Sequence, residues 1–187
     1  MENSVPNSNP ITVEEFERVP DPPGGRYELH HGELVLVTFP VKRHKDLQRR
    51  LRKLLEALAE SLGYIVDTEY PYRPLPQNEV WGADVACVSG TRHAAATKWL
   101  EGSPELVIEV ASPSNAKAEL YDKAMTTLAS SGALEFWIVD PGVLSVTVHS
   151  KRSGMSVYRG ASAVPAALFA GEVLVADIFA GVDSERG

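Results

Sequence analysis

The chain has 187 residues, of which 44% are hydrophobic and 23% charged, an ordinary balance for a globular protein with one sizeable core. Its net charge of −7 argues against passive, nonspecific binding to nucleic acid, because such binding normally needs a basic surface. No membrane-length apolar run or signal peptide is present, and the single Cys87 has no disulfide partner, so we expect a cytoplasmic protein without a membrane segment. In chain order, residues 1–10 are predicted to be a disordered leader and residues 11–187 a single domain.

The domain is predicted to begin with a short helix and a β-hairpin. Residues 11–19 form the helix, because Thr12 and Glu15 have the spacing of a capping box. Residues 26–39 form the hairpin around His31-Gly32, where glycine favours a tight two-residue turn.

Residues 44–62 are the clearest helix of the sequence, with leucines at three- and four-residue steps and Gly63 as a C-terminal stop. Between residues 42 and 53 there are seven Lys/Arg and one acid, Asp46. Such a run is usually the solvated face of an amphipathic helix, and the alternative is a surface for a polyanionic ligand. His44 stands at the start of this helix, either as an ordinary surface residue or as a contact to a phosphate.

Three strands are predicted next, and two of them carry a single acid within an apolar run. Residues 64–72 form the first strand, and residues 80–88 and 105–111 form the two acid-bearing strands. A run as apolar as 105–111 is typical of a strand buried on both faces, where the ionised carboxylate of Glu109 is costly unless a metal ion or a cation pairs with it. Asp84 is likewise a single acid within an apolar run, residues 80–88. We therefore expect the carboxylates of Asp84 and Glu109 to lie close together.

The C-terminal half is predicted to contain one long helix followed by several strands. Ser112 or Ser114 is predicted to cap a helix over about residues 115–131, which ends at Gly132. The other elements are a polar loop or short helix at 91–104, strands at 134–139, 143–149 and 155–158, and a weak last strand near 173–175. The order of elements predicts an α/β fold with a mixed β-sheet flanked by helices.

Asp84, Glu109 and Lys123 form the candidate catalytic group. Lys123 lies near the middle of the helix that leaves the Glu109 strand, and a helix packed on its own strand can turn a long lysine back toward the end of that strand. Two carboxylates at such a point can hold Mg²⁺ or Mn²⁺ through oxygen ligands. The ion would polarise a phosphoryl oxygen and activate a bound water, while the lysine orients that water or neutralises developing charge.

These residues resemble the PD-(D/E)XK, or restriction-endonuclease-like, nuclease superfamily and, within it, the Uma family of restriction endonuclease relatives. The resemblance extends from about residue 11 to residue 180. The stretches that carry it are Arg26-Tyr-Glu-Leu-His-His-Gly-Glu-Leu34, Ala83-Asp-Val85, Pro104-Glu-Leu-Val-Ile-Glu-Val-Ala-Ser-Pro-Ser-Asn115, Glu119-Leu-Tyr-Asp-Lys123 and Gly132-Ala-Leu-Glu-Phe-Trp-Ile-Val-Asp-Pro141.

The resemblance implies a metal-dependent phosphodiesterase site. It assigns Asp84 and Glu109 as metal ligands, Lys123 as the catalytic lysine and Glu28 as a third acid. The lysine of the usual Glu-X-Lys pattern falls at Ala111 and is therefore absent, so the helix lysine takes its place.

Structural roles compete with each of these assignments. Asp84 can simply end a strand and accept backbone hydrogen bonds. Glu109 and Lys123 can form a structural ion pair without metal. Glu28 can pair across the hairpin with Arg26.

The function implied is that of a Mg²⁺-dependent endonuclease, a hydrolase acting on the phosphodiester bonds of DNA in the cytoplasm. A non-catalytic nucleic-acid-binding or regulatory protein on the same fold is the main alternative, and a hydrolase of small phosphoesters, which would need a closed pocket, is a third. Because cutting both strands of a duplex usually requires two active sites, we expect a homodimer, with the strands at 143–158 offering contact area.

Overall fold

The structure, a computed structural model, describes residues 10–112 and 117–182. Residues 1–9 of the predicted leader lie outside this range, as do residues 113–116 at the start of the second predicted long helix. Helices separate groups of one to four strands along the described chain, and a seven-stranded mixed sheet occupies the centre of the fold.

The predicted elements are present, with shifted boundaries at several ends. The helices are α1 (Val13–Phe16), α2 (Lys42–Ala59), α3 (Gly90–Ala95), α4 (Lys117–Ala129) and α5 (Val175–Ile178), with 3₁₀ turns at Glu60–Leu62 and Ala167–Phe169. The strands are β1 (Gly25–His30), β2 (Glu33–Thr38), β3 (Tyr64–Arg73), β4 (Trp81–Ser89), β5 (Leu100–Glu101), β6 (Leu106–Val110), β7 (Glu135–Asp140), β8 (Ser145–Ser150), β9 (Gly154–Arg159), β10 (Ala163–Ala166) and β11 (Gly171–Leu174).

The seven-stranded sheet has the order β5-β3-β4-β6-β7-β8-β9, so β6, the strand of Glu109, lies at its centre. Strand β6 is antiparallel to β4 and parallel to β7, and α4 makes the connection between the two parallel strands. All five residues of β6 are buried, as expected for a strand covered on both faces. The predicted mixed sheet flanked by helices is therefore confirmed.

Two apolar layers hold the helices against this sheet. On one face, α2 packs its leucines Leu47, Leu51 and Leu55 against β4 and β6. On the other face, α4 contributes Ala124 to a cluster with Val107 and Phe136. The two helices thus bracket the strands that carry the acids.

Two features differ from the sequence-based expectation. Residues 91–104, read as a polar loop or short helix, include both α3 and the two-residue strand β5, which pairs with the end of β3. Strand β10, which the sequence analysis missed, pairs with β11 in a separate two-stranded sheet. The hairpin turns at His31-Gly32 as predicted, yet its second strand, Glu33–Thr38, is mostly exposed. In the two ranges described, no helix is both long and apolar enough to span a bilayer.

Candidate active site

Asp84 and Glu109 come together where β4 and β6 stop pairing. Val85 lies opposite Ile108 in the antiparallel ladder, and one further step in the same register places Asp84 opposite Glu109. The backbone N–H of Val110 donates to Asp84 Oδ2 at 2.7 Å, so a side chain takes the place of the next ladder bond. The sheet register therefore puts the two acids at one point on the molecule.

Lys123 reaches this point from α4. Its Nζ lies 3.0 Å from Glu109 Oε1 and donates to the carbonyl oxygen of Gly82 at 2.9 Å. The lysine side chain is only 13% exposed and that of Glu109 only 10%. The helix thus turns the lysine back onto its own strand.

Burial shifts the titration of both members of this pair. It raises the pKa of the Glu109 carboxyl, and the nearby negative charge of Asp84 adds to the rise against the opposing effect of Lys123. Burial alone would lower the pKa of Lys123, but the carboxylates of Glu109 and Glu28 outweigh it and raise that pKa, so the ammonium keeps its charge. Glu109 Oε1 is buried, and the Lys123 ammonium lies 3.0 Å from it without the alignment of a hydrogen bond.

Glu28 enters the site from β1. It is buried and bound by two residues of its own strand, with Oε1 3.1 Å from Arg26 Nη2 and Oε2 2.9 Å from His30 Nε2. Burial alone would raise the pKa of Glu28, but Lys123, His30 and Arg26 together lower it to about 2. The carboxylate is therefore ionised at neutral pH and helps to hold the charge on Lys123.

Gly82 allows β1 to approach the acid strand this closely. A Cβ at this position would collide with the Arg26 guanidinium and would lie 3.0 Å from Glu28 Oε1. Because glycine leaves that space open, its carbonyl can accept from Lys123 while Arg26 and Glu28 pack alongside.

Gln48 and Glu69 complete the network, and the sequence analysis missed both. The Gln48 side-chain amide donates to Asp84 Oδ1 at 2.9 Å and to Glu69 Oε1 at 2.5 Å. Glu69 also pairs with the Arg26 guanidinium. One chain of polar contacts therefore links α2, β1, β3 and β4 around Asp84.

Glu69 has a left-handed backbone, with a φ of 54°. Thr68 and Tyr70 pair with Val85 and Ala83, but the intervening pair of Glu69 and Asp84 is missing from the ladder. Such a conformation is unfavourable for a residue with a long side chain and occurs often at functional sites. The irregularity coincides with the point where Asp84 turns its carboxylate to Gln48 and to the N–H of Val110.

His44 faces the same carboxylate from the first turn of α2. Its Nε2 lies 2.9 Å from Asp84 Oδ1, at ion-pair distance but not aligned for a hydrogen bond. Burial alone would lower the pKa of His44, and the neighbouring Asp84 carboxylate raises it instead. The helical spacing of His44 and Gln48, four residues apart on the leucine-bearing side of α2, is the signal that could have identified Gln48.

No comparable signal was available for Glu69. In an alternating strand it shares a face with Asp67 and Pro71, so the sequence places it on the solvent side. Only the left-handed turn of the backbone directs it into the site.

The basic residues at the middle of α2 are engaged in local ion pairs. Arg49 contacts Asp46 at 3.3 Å, and Arg52 contacts Glu56 at 2.8 Å and Asp67 at 3.6 Å. The α2 residues that contact Asp84 are His44 and Gln48, not this basic run.

The donor set of the site suits a hard cation with few protein ligands. Among the described residues, no group of three His, Cys, Asp or Glu side chains is arranged as a complete metal cage. The Asp84 and Glu109 carboxyl groups, which lie close enough to raise the pKa of Glu109, nevertheless fit Mg²⁺, which typically takes one or two carboxylates and keeps several waters.

A cleft of about 940 Å³ opens near this group, although Asp84, Glu109 and Lys123 do not themselves line it. His44 and Val110 line it, together with residues of β8 and β9. A groove large enough for a ligand therefore lies next to two residues that contact Asp84.

Comparisons with known proteins agree with this architecture. The model of the family Uma2, described as "putative restriction endonuclease", matches residues 13–180. Among solved structures, the chain is similar to a "putative nuclease belonging to DUF820" from Anabaena variabilis, with a TM-score of 0.78 and 18% identity, over 93% of this chain and 100% of that one. The search of curated proteins gave no match. Because the family match covers most of the chain, from α1 to the residues after α5, the protein belongs to the Uma2 family.

Proposed function

We propose that the protein is a metal-dependent nuclease that hydrolyses phosphodiester bonds of DNA at the site formed by Asp84, Glu109 and Lys123. The observation that carries the proposal is the meeting of two acids and a lysine: the sheet register sets Asp84 opposite Glu109, and the Lys123 ammonium lies 3.0 Å from Glu109 Oε1. Membership of a family described as "putative restriction endonuclease" supports the same activity.

Asp84 and Glu109 are the residues that would hold Mg²⁺ or Mn²⁺. When bound, the ion would supply Lewis-acid polarisation of a phosphoryl oxygen and a water of lowered pKa. Asp84 is held for this task by Gln48 and by the N–H of Val110, which fix the direction of its two oxygens.

Lys123 acts as the positively charged group beside the scissile phosphate. Its ammonium is buried, keeps its proton and is oriented by the Gly82 carbonyl, so it can stabilise negative charge that develops on the phosphate oxygens. It reaches the site from α4, which compensates for Ala111 at the usual lysine position. Glu28 contributes as a third acid, which maintains the charge on Lys123 rather than accepting a proton itself.

A non-catalytic nucleic-acid-binding role is the second candidate. The observation in its favour is that Lys123 and Glu109 already neutralise one another at 3.0 Å, so the pair is stable as a structural element. The two candidates differ in whether a metal ion promotes turnover.

Cleavage assays with metal titration distinguish the two candidates. We expect Mg²⁺ or Mn²⁺ to switch on cleavage of labelled DNA and EDTA to stop it. Asp84→Asn and Glu109→Gln should each remove Mn²⁺ binding, measured by calorimetry, together with cleavage. Lys123→Ala should abolish turnover and still bind Mn²⁺, because lysine is not a ligand.

Glu33→Gln is the matched control, since it also removes one carboxylate but lies exposed on β2. It should leave both metal binding and cleavage unchanged. A wild type that binds Mn²⁺ but cuts neither single-stranded nor double-stranded DNA would favour the non-catalytic candidate.

We further propose that the protein acts in the cytoplasm as a homodimer. The late strands expected to offer contact area include β9, one of the two edge strands of the described seven-stranded sheet, where Val157 is exposed. A second apolar surface lies on the hairpin, where Leu36 is 53% and Phe39 62% exposed. Exposed apolar strands of this kind favour pairing with another chain.

A further inference from the structure

The cleft beside the acids is too apolar for the outer surface of a DNA duplex. Four of its side chains are large, apolar or aromatic, and half or more exposed: Val41, Tyr121, Val143 and Met155. Further apolar surface comes from the buried Leu120 and the partly buried Ile138. A duplex presents phosphates, sugars and the polar edges of paired bases, none of which would gain from contact with such walls.

One wall of the cleft offers an aromatic surface for a planar ring. Tyr121 on α4 meets His149 on β8 edge to face, with 5.8 Å between ring centroids. The His149 ring is buried, and burial lowers its pKa, so it is neutral at pH 7. Tyr121 is 51% exposed and therefore has ring surface available to a ligand. Aromatic side chains of this kind are the usual platforms for unpaired nucleobases.

The charges of the cleft fit a polyanion that enters from the rim. Arg159 lines it, as does Arg43, whose guanidinium also donates to the carbonyl oxygen of Pro141 at 3.3 Å. The acid of this rim is Asp140, whose Oδ1 accepts from the N–H groups of Gly142 and Val143 and so closes the β7–β8 turn. Two guanidinium groups around an apolar, aromatic groove are the combination found where single strands bind.

The cleft lies next to the proposed catalytic group, although Asp84, Glu109 and Lys123 do not line it. His44 and Val110 do line it, and each contacts the Asp84 carboxylate. A nucleotide in the cleft would therefore place a neighbouring phosphate at the acids.

We propose that the cleft binds an unpaired nucleobase of a single-stranded DNA. This base would be the neighbour of the phosphodiester that is hydrolysed at the site of Asp84 and Glu109. This inference rests on the proposed nuclease function and specifies its substrate as a single strand. The base packs on Tyr121 and against Met155, while Arg43 and Arg159 receive the flanking phosphates.

Binding of labelled oligonucleotides in EDTA tests this inference without cleavage. We expect the wild type to bind a single-stranded 12-mer at least about tenfold more tightly than the duplex of the same sequence, and to quench a 2-aminopurine placed within it. Tyr121→Ala should weaken single-strand binding about tenfold and relieve the quenching, whereas Tyr121→Phe should retain both because it keeps the ring.

Met125→Ala is the control for Met155→Ala. Met125 is a partly exposed methionine on α4 that does not line the cleft, so only the Met155 variant should weaken single-strand binding. Circular dichroism melts of all variants verify that each one is folded.

The outcomes separate the inference from the proposed function. If Tyr121→Ala and Met155→Ala bind single strands like the wild type, or if the wild type prefers duplex, the inference is overturned even when metal-dependent cleavage is observed. If the wild type is a dimer that Tyr121→Ala dissociates, the cleft is a subunit contact and the inference is again overturned. Quenched single-strand binding without cleavage in Mg²⁺ or Mn²⁺ would support the cleft assignment and reject the nuclease.

Discussion

At the scale of single residues, Glu28 shows how a buried acid can remain charged. Burial raises its pKa, but the cationic groups around it have the larger combined effect and lower that pKa from 4.5 to about 2. A folded-state pKa below the unfolded value means that the ionised form stabilises the fold at pH values above about 4.5. That contribution is lost as the pH falls from about 4.5 to about 2.

We therefore predict that Glu28→Gln destabilises the protein at pH 7 and has little effect near pH 2. The shift corresponds to a loss on the order of 3 kcal/mol of unfolding free energy at neutral pH. Urea unfolding of wild type and variant at a series of pH values measures the difference. A difference between the two proteins that stays constant from pH 7 to pH 2 would show that the carboxylate charge is not responsible.

At the scale of the elements, the basic run of α2 belongs to a different surface from the acids. Arg49 and Arg52 point away from Asp84 and pair with neighbouring acids, whereas His44 and Gln48 face the site. If the outer face of α2 contacts DNA, neutralising the two arginines should weaken binding and reduce its salt dependence by about two phosphate contacts.

The variant Arg49→Gln/Arg52→Gln, measured by fluorescence anisotropy between 50 and 200 mM salt, tests this prediction. The metal affinity of the site should not change. If the dependence of DNA affinity on salt concentration is the same for the variant and the wild type, the basic run is a solvated helix face. That is the alternative given in the sequence analysis.

The elements also show which parts of the site sequence reasoning can reach. The periodicity of α2 and the apolar runs of β4 and β6 predicted the layers and placed Asp84, Glu109 and Lys123 on the correct elements. Glu69 was not predicted as a site residue because the direction of its side chain depends on its own left-handed backbone conformation. The two-residue alternation of a regular strand assigns it to the opposite face of the sheet. The strand β10 and the two-residue β5 carry too few residues for any periodicity to be detected.

At the scale of the whole molecule, the hairpin exposes an apolar surface that a second protein surface could cover. Strand β2 exposes Leu34, Val35 and Leu36, and Phe39 follows it at 62% exposure. A monomer would leave this surface in water, where it favours association. We predict a homodimer at micromolar concentration, measured by light scattering coupled to size exclusion.

Leu36→Lys should convert the dimer to a monomer if the hairpin forms the contact. Val157→Lys tests the β9 edge in the same way, and the variant that dissociates the protein locates the interface. A monomeric wild type at micromolar concentration contradicts the dimer outright.

The β6–α4–β7 connection has a consequence for how the chain folds. Glu109 on β6 becomes buried when the sheet closes, but its cation, Lys123, arrives only when α4 docks. An intermediate that completed the sheet first would bury an uncompensated carboxylate, at a cost of several kcal/mol unless the group took up a proton. Completion of the sheet and docking of α4 are therefore expected to occur cooperatively. A partly folded form with α4 detached should be sparsely populated at neutral pH. It should be more populated in acid, where Glu109 is protonated and its burial costs less.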